Sequence, residues 1–138
     1  MDKFKPSKTA ARRVRDRLAV PKRCPHCSSK VVVKHHSEVF NRVYSDWPWL
    51  YCCTHCDARV GMHPSTRIPL GTLADAKTRT ARRTAKEQFL QWAKQRGYSR
   101  TRSYQMLSSM LDIKLNRTHF GWFDADTCKR VMSMLDAA

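Results

Sequence analysis

Two cysteine pairs, Cys24-Pro25-His26-Cys27 and Cys53-Thr54-His55-Cys56, constrain this chain more than any other feature. A C-x2-C turn aims two thiolates at one point. Two such knuckles brought together make a four-sulfur tetrahedral site, the geometry a structural zinc prefers. The 25 residues between the pairs exceed the usual spacing of about 15–20, so a longer hairpin is expected inside the loop. Cys52 competes for the ligand role, because Cys52 to Cys56 is C-x3-C. The repeated two-residue spacing favours Cys53 and turns Cys52 to the other face of its strand. The expected cofactor is therefore one structural Zn2+ on Cys24, Cys27, Cys53 and Cys56. His26 and His55 read as surface histidines on the turns, since four thiolates already fill the site.

Other uses of these thiols fit less well. A disulfide framework needs an oxidising compartment. The lysines near the N-terminus are followed by no apolar stretch of signal-peptide length, and no run approaches a membrane span. A cytoplasmic protein without a membrane partner is the expectation. Neither pair sits at a strand-to-helix junction of a βαβ pattern, which disfavours a redox dithiol.

Charge sets the partner class. A formal net charge of +16 and a pI near 10.2 draw polyanions, with nucleic acid the first candidate. The charge divides the chain into three. Residues 1–23 carry nine Lys/Arg against two acids, residues 24–71 five against three, and residues 72–138 thirteen against six. With the strand and helix patterns described next, the expected architecture is α+β: a basic N-terminal arm (1–23), partly helical or disordered; a small antiparallel zinc ribbon (24–71); and a three-helix region (72–138) packed on or beside it.

In the arm, Ser7 or Thr9 could cap a helix through Ala10, Ala11, Val14 and Leu18 that Pro21 ends. Arg12, Arg13, Arg15 and Arg17 would radiate around it toward phosphates. In the cysteine region, Val31–Val33, Val39–Tyr44, Leu50–Cys53 and Ala58–Met62 have strand composition. Trp47 and Trp49 approach the second knuckle. They could stack on unpaired bases, but a ribbon short of core residues favours packing them.

The clearest helix is expected from a Thr72 N-cap, with Asp75 in its first turn, to a Gly97 stop. Ala74, Ala81, Ala85, Phe89 and Trp92 share its apolar face. Arg79, Arg82, Arg83 and Lys86 form a ridge centred roughly 140° away. No acid interrupts that ridge before Glu87, and like charges on adjacent turns repel, so it reads as an anion-binding face. Two further helices follow. Ser99 or Thr101 caps one carrying Tyr104, Leu107 and Leu111. Asp124 caps another with Cys128, Val131, Met132 and Leu135 on its stripe. His119 and Cys128 are read as a buried histidine and a buried thiol, since two ligands make no metal site.

The segments Cys-Thr-His-Cys-Asp-Ala-Arg-Val-Gly-Met-His at 53–63, Pro-Leu-Gly-Thr-Leu-Ala-Asp at 69–75 and Thr-His-Phe-Gly-Trp-Phe-Asp at 118–124, with Cys128 shortly after, resemble a zinc-finger-containing family of phages and prophages. The resemblance implies a four-cysteine zinc module joined to a helical tail, and a viral origin. It implies no reaction.

Catalysis is not expected. His35, His36, Asn41, His55 and His63 lie near the knuckles and invite comparison with an HNH nuclease. That site needs metal ligands from the helix after its strands, and here the helix offers only Asp75 and Glu87. Two functions remain. The first is a non-catalytic nucleic-acid-binding accessory protein, on DNA or RNA. The alternative is an interaction factor that docks on an acidic host protein or nucleoprotein complex to redirect or inhibit it.

Overall fold

The computed structural model describes residues 3–138. It divides into two units, one running to Asp75 and the other from Ala76 to Ala138.

In the first unit the basic arm opens on α1 (Lys8–Arg12), whose N-cap Ser7 accepts the Ala10 amide. This helix is shorter than expected and stops well before Leu18. Arg13 takes the C-cap, and the Arg17 guanidinium folds back onto the carbonyls of Ala11 and Val14, satisfying groups that a longer helix would have used. The arm is fastened at both ends. The Phe4 ring lies 5.4 Å from each of Trp47 and Trp49, and the Ser7 amide donates to Ser65 O at 2.7 Å. At the far end, Lys22 O accepts the Val31 amide, and Arg23 bridges Lys30.

The valine run forms β1 (Val31–His35), which pairs antiparallel with β2 (Trp49–Cys53); Val31 faces Cys53 and His35 faces Trp49. On its other side β2 holds β3 (Arg59–Gly61), with Tyr51 opposite Val60. Side chains alternate across such a sheet. Val31, Tyr51, Cys53 and Val60 therefore share one core with Cys24, Ala58, Met62 and Leu73.

The expected strand over Val39–Tyr44 is absent. A single turn, α2 (His36–Val39), takes its start instead, because His35 and Glu38 close a reciprocal capping box. The following residues are held by aromatic contacts. Phe40 and Tyr44 meet edge to face at 5.2 Å, and the buried His36 ring accepts the Tyr44 amide.

The second unit is built from α3 (Ala76–Arg96), α4 (Arg100–Leu111) and α5 (Ala125–Ala137), with two 3-10 turns at Leu115–Arg117 and Phe120–Trp122. Helix α3 begins later than the Thr72 cap implied. Ala74 exchanges both backbone hydrogen bonds with Arg59, at 3.0 and 3.1 Å, which keeps that segment extended. The helix ends as expected, at Gly97 with φ +69°, where the amides of Gly97 and Tyr98 close onto Lys94 O and Ala93 O. Ser99 and Asp124 cap α4 and α5 through the amides of Arg102 and Thr127. Helix α3 packs chiefly on α5, and Ala85, Phe89, Trp92, Leu107, Leu111, Cys128, Val131 and Leu135 close the core. Thirteen residues, 112–124, separate α4 from α5, too many for the short turn of a helix-turn-helix. No helix among the described residues is long and apolar enough to cross a membrane.

Candidate metal centre

Each knuckle is shaped by backbone hydrogen bonds onto its own cysteines. In the first, the Ser28 amide donates to Cys24 O and the Cys24 amide to Ser29 O, while Ser28 takes a left-handed φ of 63°. The His26 amide points at Cys24 Sγ, 3.4 Å away. In the second, the amides of His55 and Cys56 point at Cys53 Sγ at 3.3 and 3.4 Å, and the Cys53 amide donates to Ala58 O. The knuckles are tied together by Thr54, whose amide and hydroxyl both donate to Lys30 O.

The four sulfurs of Cys24, Cys27, Cys53 and Cys56 all lie within 4.8 Å of one another. Cys24 Sγ is 3.6 Å from Cys56 Sγ, and Cys27 Sγ is 3.4 Å from Cys53 Sγ. No pair is bonded as a disulfide. A tetrahedral zinc with Zn–S bonds of about 2.3 Å would set each S···S edge at about 3.8 Å. The site therefore fits one structural zinc held by four cysteines, and no fifth ligand is needed.

The thiols differ in acidity. Hydrogen bonds from the Ser29 side chain and amide hold Cys27 down to about 6. Burial pushes Cys24 up. The Ala58 amide pulls Cys56 down, but burial and the three neighbouring sulfurs outweigh it and raise Cys56 to about 12. One thiolate is thus ready near neutral pH, and zinc displaces the remaining protons as it binds. Cys52 lies outside the cluster. It is buried beside Lys34, Val39 and Arg59, where burial raises its pKa.

His26 is more than a turn histidine. Its ring meets Leu73 O through Nε2 at 3.0 Å and Asp75 through Nδ1 at 3.5 Å. Nothing local in the sequence signals a contact across 47 positions. Of the HNH candidates, His35 caps α2, His36 is buried against Tyr44, and His55 is exposed. None of the histidines joins a metal-holding cluster among the described residues. Cys128 is fully buried, whereas His119 is half-buried, its ring tilted 35° against the Trp122 ring at 4.6 Å.

The basic residues fall into two groups. Arg12, Arg13, Arg15 and Arg17 are all exposed, as are Arg83 and Lys86. Arg79 is half-buried, and Arg82 turns inward, its Nε donating to Phe123 O at 2.8 Å. Trp47 and Trp49 are half-buried in the first unit's core. Trp47 Nε1 donates to Thr66 O, and Trp49 meets the His35 ring at 5.0 Å.

No curated protein and no solved structure matches the chain. A family model does, over residues 20–138, and its description is a zinc-finger-containing domain. That span takes in both knuckles and all three helices of the second unit. With four convergent cysteines at its centre, the chain belongs to this zinc-finger-containing domain family, DUF3268.

Proposed function

We propose that this is a non-catalytic accessory protein that binds nucleic acid, DNA or RNA, through phosphate contacts. The observation that carries the reading is the clustering of exposed arginines at 12, 13, 15 and 17 in a chain of 27 basic and 11 acidic residues. Arg83 and Lys86, with Arg79 beside them on α3, supply a second cationic strip. Arg82 supports its own unit and contributes little to that strip. Zinc supplies order to the first unit and leaves substrates alone. The phage or prophage setting implied by the resemblance, in a host-cell cytoplasm, completes the reading.

Binding of labelled duplex and single-stranded oligonucleotides is measured between about 50 and 200 mM salt. Each phosphate neutralised contributes about −0.9 to the log–log slope on duplex DNA. Arg83→Ala with Lys86→Ala should lower that slope by about two and leave the fold intact. Binding to neither form at low salt, together with protein partners that survive nuclease treatment, would move the reading to an acidic protein target.

A further inference from the structure

Between the C-terminal half of α3 and the start of α4 lies a cleft of about 400 Å³. It is lined by Leu90, Tyr98, Tyr104 and the fully buried Phe89, together with Ser103 and the cations Lys94 and Arg100. The rings are already ordered. Phe89 and Tyr104 meet edge to face at 5.0 Å, and the Arg100 guanidinium sits 4.9 Å over the Tyr104 ring. Leu90 is half exposed at the mouth, an unusual place for a large apolar side chain on an otherwise polar helix face. Charge is one-sided here as well. Residues 88–111 contain Lys94, Arg96, Arg100 and Arg102 and no Asp or Glu.

Flat π-surfaces beside uncompensated cations suit a ligand that joins a flat ring to an anion. A duplex keeps its bases stacked inside, whereas a single strand offers each base beside its own phosphate. We infer that this cleft is a subsite for one unstacked nucleotide of a single strand. The base lies against Tyr98 and Tyr104, and the phosphate meets Lys94 and Arg100. The inference rests on the nucleic-acid reading above and refines it, since the arm and the α3 strip grip phosphates of either form.

The test uses the full zinc-loaded chain, a 12-nucleotide single strand in DNA and RNA versions, and a duplex of equal length. Leu90→Glu puts a carboxylate at the mouth on an exposed helical position where Glu is well tolerated, so the fold survives. Lys94→Gln with Arg100→Gln removes both cations. Leu90→Glu should weaken single-strand binding about tenfold or more, the scale of one lost stacked base, and change duplex binding less than about threefold. Adenosine monophosphate should shift the amide resonances of residues 89–104 in the parent and not in Leu90→Glu. If the parent binds both forms and Leu90→Glu weakens them equally or not at all, the cleft assignment is overturned and the phosphate-gripping reading stands. If the parent binds neither form at low salt, both fall.

Discussion

Replacing Cys53 and Cys52 separately by alanine gives the sharpest discrimination, because the two neighbours differ in role and hardly at all in burial, at 5% and 6% exposed. Structural zinc in small domains contributes about 10–16 kcal/mol at neutral pH. Shared over four thiolates, one ligand accounts for about 3 kcal/mol, or about two orders of magnitude in metal affinity. The first unit has little to set against that loss, since the fully buried part of its core beside the cysteines is Tyr51, Ala58, Met62 and Leu73, with Phe4, Trp47 and Trp49 only half-buried around it. Cys53→Ala should therefore lose zinc on dialysis against a moderate chelator, and the amide resonances of the ribbon should collapse. Cys52→Ala removes one buried sulfur for about 1 kcal/mol and should keep one zinc per chain. In both variants the helical circular dichroism should persist, because α3–α5 close a core of their own. Zinc retained at parental affinity by Cys53→Ala, or lost by Cys52→Ala, would refute the ligand set.

Three further outcomes follow from single contacts. Arg82→Ala breaks the bond to Phe123 O and should lower the stability of the helical unit by about 1–2 kcal/mol, whereas Arg83→Ala should stay within about 0.5 kcal/mol in the same melts. Asp124→Ala should cost about 1 kcal/mol at pH 7. Hydrogen bonds from the Thr127 amide and hydroxyl lower the Asp124 pKa, so its contribution is full above the unfolded value of about 3.9 and fades as pH falls through the folded one; the gap between parent and variant melts should be full at pH 7 and narrow progressively as the pH is lowered below about 3.9. Phe4→Ala strips the ring from between Trp47 and Trp49 and should raise the solvent quenching of tryptophan fluorescence while zinc content stays at one per chain.

What the sequence reveals here is what local chemistry determines. The C-x2-C pairs, the Ser99 and Asp124 caps and the Gly97 stop each depend on a few neighbouring residues, and each appears where expected. The errors come from partners far along the chain or from a stronger local competitor. Val39–Tyr44 has strand composition, yet the His35–Glu38 capping box commits its first residues to a helical turn. Thr72 looks like a helix cap, yet pairing of Ala74 with Arg59 holds that stretch extended. Arg82 sits in a run of like charges, and only the fold brings Phe123 O to it across 41 positions.

The fastening of the N-terminal arm at Phe4 and Ser7, and again at Lys22 and Arg23, makes it a closed loop rather than a tail. Closing about 14 residues costs about 2 kcal/mol of chain entropy, spent when the first unit folds rather than when a ligand arrives. On the proposed function, Arg12, Arg13, Arg15 and Arg17 would meet a polyanion with part of their freedom already surrendered, which favours affinity per contact over reach. A protease that cuts once between Arg13 and Arg15 would leave both fragments anchored, and the arginines would become two loose ends on the same scaffold.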